Sequence, residues 1–82
     1  MIESIPVEAR FELDGSLRPI AFEWHDQRFV IESYGRQWQE NVTRHFLVMV
    51  SSDQVFELAY HPGRNQWHLI RSPQDFNRHA HV

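Results

Sequence analysis

Residues 5–13 alternate without a break: Ile5, Val7, Ala9, Phe11 and Leu13 share one face, and Glu8, Arg10 and Glu12 share the other. A period of two specifies a strand with one face buried, because successive side chains in a strand point to opposite sides. The same pattern returns along the chain. Residues 20–25 place Ile20, Phe22 and Trp24 inward against Glu23 and His25. Residues 28–34 place Phe29 and Ile31 on one face and Val30, Glu32 and Tyr34 on the other. Residues 45–51 are apolar on both faces, the mark of a central strand. Phe56, Leu58 and Tyr60 share a face in residues 55–60, and Trp67 and Leu69 do so in residues 66–71.

Turn chemistry separates these segments. Asp14-Gly15-Ser16 and His61-Pro62-Gly63-Arg64-Asn65 are turn signals, and the short polar run His25-Asp26-Gln27 suits a hairpin. Pro19 restricts where its strand can pair. Gly35 implies a bulge or sharp bend. Residues 36–43 fit either a continuation of the bent strand or one helical turn. Ser72-Pro73 ends the last strand, and one helical turn is expected at Pro73 to Phe76. The sequence therefore predicts an all-β chain of about six antiparallel strands in a meander, strongly curled or closed into a small barrel that removes exposed edges. It is read as a single domain over residues 1–82, with an ordered core over about 4–72 and a C-terminal tail over 73–82.

A chain of 82 residues has a small core, so its three Trp, two Tyr and six Phe matter. Phe22, Trp24, Phe46, Phe56 and Trp67 are expected to lead it. There is no cysteine, and neither a signal peptide nor a bilayer-length apolar run is visible, which together point to the cytoplasm. The formal net charge of −3 disfavours non-specific nucleic-acid binding as the main role. All eight basic residues are arginine, consistent either with base composition or with a need for planar, bidentate donors.

No cofactor or metal is expected. His25, His45, His61 and His68 are scattered over separate elements, and His79-x-His81 lies in the tail. Zinc would need three or four converging ligands. Gly15, Gly35 and Gly63 are isolated and form no phosphate loop. Ser33, Ser51, Ser52 and Ser72 lie in no nucleophile elbow. Glu32 with Glu40, or Asp53 with Glu57, are the conceivable acid/base pairs, and a small enzyme without a recognisable motif is one reading. The most suggestive stretch runs from Arg28 to His45, where arginines alternate with aromatics. Arg28, Tyr34, Arg36, Trp38 and Arg44 form the candidate binding surface. Trp, Tyr and Arg dominate protein hot spots, and arginine beside aromatics also binds single-stranded nucleic acid. In the plainer alternative Phe29 and Trp38 are core and the arginines are solvated. The leading reading is a non-catalytic accessory domain that binds another protein. An unpaired edge strand would also allow a homodimer.

Pro19-Ile20-Ala21-Phe22-Glu23-Trp24, Arg28-Phe29-Val30 and Trp38, followed by Phe56-Glu57-Leu58 and Trp67-x-Leu69-x-Arg71, resemble a small bacterial family of uncharacterised domains over roughly residues 5–72. Its members stand alone or resemble the C-terminal segments of Y-family-polymerase-like mutagenesis proteins. The resemblance implies an accessory domain near DNA-repair machinery and carries over no catalytic residue. The chain departs from the pattern at His25-Asp26, where a glycine-containing turn is expected.

Overall fold

Pro6 has no N–H to give a ladder, and the first alternating segment breaks there. In the computed structural model, which describes residues 3–79 and side chains through Phe76, this segment becomes β1 (Glu3–Ser4) and β2 (Val7–Phe11). The strands β3 (Leu17–Trp24), β4 (Gln27–Val30), β5 (Ser33–Glu40), β6 (Thr43–Val50), β7 (Gln54–His61) and β8 (Gln66–Arg71) follow, then a helix, α1 (Pro73–His79). Every strand pair is antiparallel. A five-stranded sheet has the order β1-β8-β7-β6-β5, and a three-stranded sheet the order β2-β3-β4. Neither sheet closes on itself.

The expected six strands are eight because two of them cross between sheets. At the first corner Ile5 N–H donates to Trp67 O in the large sheet, and the Pro6 carbonyl accepts from Glu23 N–H in the small one. At the second, Ile31 N–H donates to Ile20 O, and Glu32 N–H donates to Met49 O. The chain over residues 36–40 continues the bent strand and makes no helical turn. The β5–β6 register shifts between Tyr34 and Gln37. Gly35 lies in that bulge, where a Cβ would come 3.5 Å from Leu47 Cβ.

The core forms where the two sheets face each other. Phe22 and Phe56 meet edge to face at 4.9 Å, Phe29 stacks on Phe22 at 5.3 Å, and Trp24 meets Phe56 at 5.4 Å. Phe46, Val48, Val50, Leu58, Trp67 and Leu69 complete the buried face of the large sheet. Trp24 is only partly buried, and its indole N–H, itself out of solvent, has no partner among the described residues. The inward alternation of β2 also ends early. Ile5 is buried, but Phe11 is 69% exposed and Leu13 lies fully in solvent. Beyond Pro6 the chain leaves β8, so Phe11 borders an open groove instead of packing into the core.

The helix is longer than the expected single turn. Ser72 caps it, Pro73 occupies its first position, and the Asp75 carboxylate accepts from Ser72 N–H at 2.8 Å. This is the carboxylate half of a capping box: the Ser72 hydroxyl also donates to the Asp75 carboxylate, at 3.2 Å, the Asp75 N–H donates to the Ser72 carbonyl, and proline sits where a missing N–H costs nothing. The α1 helix packs on β7 and β8. At the β2–β3 turn, Ser16 N–H and Oγ–H donate to Asp14 and hold its carboxyl below the usual carboxylate range, the backbone bond contributing most. Gly15 adopts φ +87°, which suits glycine.

The β3–β4 turn lacks that help. His25 and Asp26 have φ of +51° and +60°, the left-handed pair of a type I′ hairpin that Asn-Gly normally supplies. His25 stacks on Trp24 at 3.8 Å; Asp26 makes no side-chain hydrogen bond or ion pair among the described residues. Asp26→Gly is expected to stabilise the chain by about 0.5–1 kcal/mol, raising Tm by several degrees. A lower Tm in thermal unfolding would contradict the turn assignment.

Candidate functional site

Strand alternation and one bulge decide which candidate residues can act together. On β5, Trp38 lies opposite His45, while Gln37 lies opposite Phe46 and Gln39 opposite Arg44. Phe46 is buried in the core, so Gln37, Gln39 and Arg44 belong to the inner side, and Trp38 and His45 to the outer one. Arg44 also lies opposite buried Tyr60. Trp38 and Arg44 are therefore on opposite faces. Arg28 is farther away, on the small sheet, and pairs with Glu8 across β3. The Tyr34 hydroxyl donates to the Pro19 carbonyl at 2.6 Å, and the Arg18 guanidinium sits 5.0 Å from its ring centroid. Tyr34 thus ties the large sheet to the small one. Of the five candidates, only Arg36 and Trp38 come together, with the guanidinium 5.3 Å from the ring centroid.

These two open a polar chain across the outer face of the large sheet. The Trp38 ring lies parallel to His45, 7° between planes and 5.1 Å between centroids, and its N–H donates to Glu40 at 3.2 Å. His45 Nδ1 lies 2.9 Å from Glu57 Oε2, and Arg71 Nε donates to Glu57 Oε1 at 2.7 Å. The Arg71 guanidinium in turn lies 4.2 Å from the Phe76 ring centroid on α1. A register shift between Glu57 and Leu58 brings this about: Leu58 pairs with Leu69 and Glu57 with Arg71, leaving Ile70 as the extra residue. Without that bulge Arg71 would not share Glu57's face.

Glu57 is 4% exposed. A carboxylate so deeply buried is tolerated only with hydrogen-bonded partners on both oxygens. His45 and Arg71 supply them from the flanking strands. The sequence did not show this role: Glu57 reads as the outer member of a strand, and its partners lie 12 and 14 residues away. Of the conceivable acid pairs, Asp53 with Glu57 and Glu32 with Glu40, Glu57 has both oxygens engaged by His45 and Arg71, and Glu40 accepts from the Trp38 N–H. His61 and His68 share the same outer face, with ring centroids 6.0 Å apart, and His61 Nε2 lies 3.3 Å from Thr43 Oγ1. Among the described residues no three His, Asp or Glu side chains converge for a metal ion. The His79-x-His81 pair lies outside the described side chains. No described helix is long and apolar enough to cross a membrane.

The result is a stack of planar groups at one side of the large sheet, Arg36 and Trp38 on the edge strand β5 and His45 on β6, with Glu40 holding the edge of Trp38 and Glu57 that of His45. Comparison with family models, with curated proteins and with solved structures finds no match to the chain. The family resemblance therefore rests on the residues quoted for it.

Removing Arg71 leaves a buried carboxylate with one partner. Arg71→Met is expected to destabilise the fold by about 1.5–3 kcal/mol in urea unfolding. The double variant Arg71→Met, Glu57→Leu should recover much of that loss, because it removes the stranded charge. Equal destabilisation by the single and double variants would contradict the charge account.

Proposed function

We propose that this chain is a non-catalytic interaction domain that binds another protein through the outer face of the large sheet, centred on Trp38 and Arg36. The observation that carries the reading is the prearranged Arg36–Trp38–His45 stack, which runs from the edge strand β5 onto its neighbour β6. Trp and Arg are the side chains that dominate binding energy at interfaces. Here Trp38 is held by Glu40 and His45 before any partner arrives, which lowers the entropy lost on binding. The chain from His45 through Glu57 to Arg71 holds the His45 end of the stack from the side.

Single-stranded nucleic acid fits this surface less well. Bases need free ring faces and a cationic track, whereas Arg36 and His45 already engage the Trp38 ring and Glu40 holds its N–H. Arg28 and Arg44 point elsewhere. The link to DNA repair rests on the family resemblance alone, and the non-catalytic reading on the lack of a recognisable motif. The same proposal takes the two sheets as one small barrel divided at its corners. The hydrogen bonds of Ile5 and Pro6 at one corner, and of Ile31 and Glu32 at the other, support it.

Trp38→Ala and Arg36→Ala should each weaken recovery of a specific partner at least about tenfold, while Arg64→Ala, at the β7–β8 turn, leaves it unchanged. Quantitative affinity capture with all four proteins, each confirmed folded by circular dichroism, checks this. Unchanged recovery by Trp38→Ala would remove the proposed face. Salt-sensitive binding of oligonucleotides that depends on Trp38 would favour the nucleic-acid reading instead.

A further inference from the structure

The strand β2 is an edge of the small sheet, and its outward backbone can be assigned. The Pro6 carbonyl bonds toward β3, and so does the Glu12 N–H, which donates to Ser16 O at 2.8 Å. In a strand the N–H and C=O of one residue point the same way, and the direction alternates along the chain. Residues 6, 8, 10 and 12 therefore face β3. The N–H and C=O groups of Val7, Ala9 and Phe11 face the open edge. The register shift between Glu8 and Ala9 inserts Ile20 into β3, so β2 itself runs unbroken. The other long edge, β5, is interrupted by its bulge.

The side chains of β2 are self-complementary in one register. We propose that two copies of this chain form a two-fold symmetric dimer by antiparallel pairing of β2 with β2, centred on Ala9. Ala9 then faces Ala9 of the second copy, and Val7 faces Phe11, all three in hydrogen-bonded pairs that use the outward groups just assigned. Glu8 falls opposite Arg10 twice, at the non-hydrogen-bonded positions where side chains approach most closely. Shifting the centre to Glu8 or Arg10 sets like charges against each other. Centring on Phe11 runs the pairing into the turn at Leu13 and Asp14.

Three further observations fit a second copy as the occupant. Arg10 lies opposite Arg18 within its own sheet and makes no ion pair among the described residues. A carboxylate from a neighbouring chain would relieve that juxtaposition. Glu8 bonds Arg28 through Oε2, and its other oxygen makes no ion pair among the described residues. On the opposite face, Val7, Ala9 and Phe11 border a groove of about 580 Å³ with Leu17, Tyr60 and Trp67 in its walls. Phe11 is 69% exposed there. Pairing carries the second copy's Phe11 to the mouth of this groove beside Val7. The dimer uses a different edge from the Trp38 face, so the two proposals stand separately.

Sedimentation equilibrium over a concentration series tests it on the full chain. The wild type is expected to approach twice its monomer mass as concentration rises. Ala9→Pro removes an edge N–H that the small sheet does not use and should leave a folded monomer. Glu8→Arg and Arg10→Glu each create two like-charge contacts and should weaken self-association at least about tenfold. Mixed together they should form a heterodimer, because the chain with two arginines then meets the chain with two glutamates. Circular dichroism confirms that each variant folds. A wild type that stays monomeric to millimolar concentration overturns the proposal. So does a dimer indifferent to Ala9→Pro, or a charge-reversed pair that fails to associate on mixing.

Discussion

The contact of Phe22 with Phe56 is the joint on which the fold depends. Phe22 is 1% exposed and Phe56 is fully buried, and they come from different sheets. Phe29 and Trp24 extend the cluster from the small sheet onto the same Phe56 ring. Burying an aromatic side chain of this kind is worth about 1.5–3 kcal/mol, and edge-to-face pairs add about 0.5–1.5 kcal/mol more. For a chain with no disulfide and a net stability of order 5–10 kcal/mol, that cluster is a large share of what holds two sheets together. Backbone bonds at the two corners and the Tyr34–Pro19 bond direct the sheets. The aromatic contact holds them closed.

Everything of functional interest lies where this joint does not reach. On the outer face of the large sheet, small Ala59 leaves the centre low while Trp38, His45 and His68 stand in one cross-strand row with it. Polar groups occupy a surface that needs no second sheet. Glu57 can be buried there only because neighbouring strands deliver His45 and Arg71 to its oxygens. At the other end, the chain leaves β8 after Ile5, and beyond Val7, which still packs against the core, the apolar face of β2 is left without a cover. One protein thus presents a rigid polar face and an open apolar edge, both consequences of where the core ends.

Much of this fold was legible in the sequence because a two-residue period reports burial directly. The strand segments, the turn at residues 61–65, the bend at Gly35 and the aromatic core at Phe22, Phe46, Phe56 and Trp67 follow from local pattern. The sheet switch at Pro6 was not legible. Alternation continues through it, and the change of sheet is set by long-range bonds, from Ile5 N–H to Trp67, 62 positions away, and from Glu23 N–H to the Pro6 carbonyl. Phe11 and Leu13 were placed inward for the same reason. The candidate site was half legible. Arg36 and Trp38 do meet, but nearness in sequence points Arg44 to the same surface, whereas register puts it on the opposite face. Glu57 was hidden because its burial depends on a bulge that brings Arg71 opposite it, and a bulge of this kind leaves no local signature in Glu57-Leu58.

The central claim is that stability concentrates at the aromatic joint and falls away toward the β2 edge. Amide hydrogen exchange followed by NMR on a dilute sample measures this residue by residue. The account predicts the slowest exchange, close to that of global unfolding, at Phe56 and Leu58 and in the part of β6 that pairs with them, with Val7, Ala9 and Phe11 exchanging orders of magnitude faster. Equal protection of β7 and of the outward β2 amides in the monomer would contradict it.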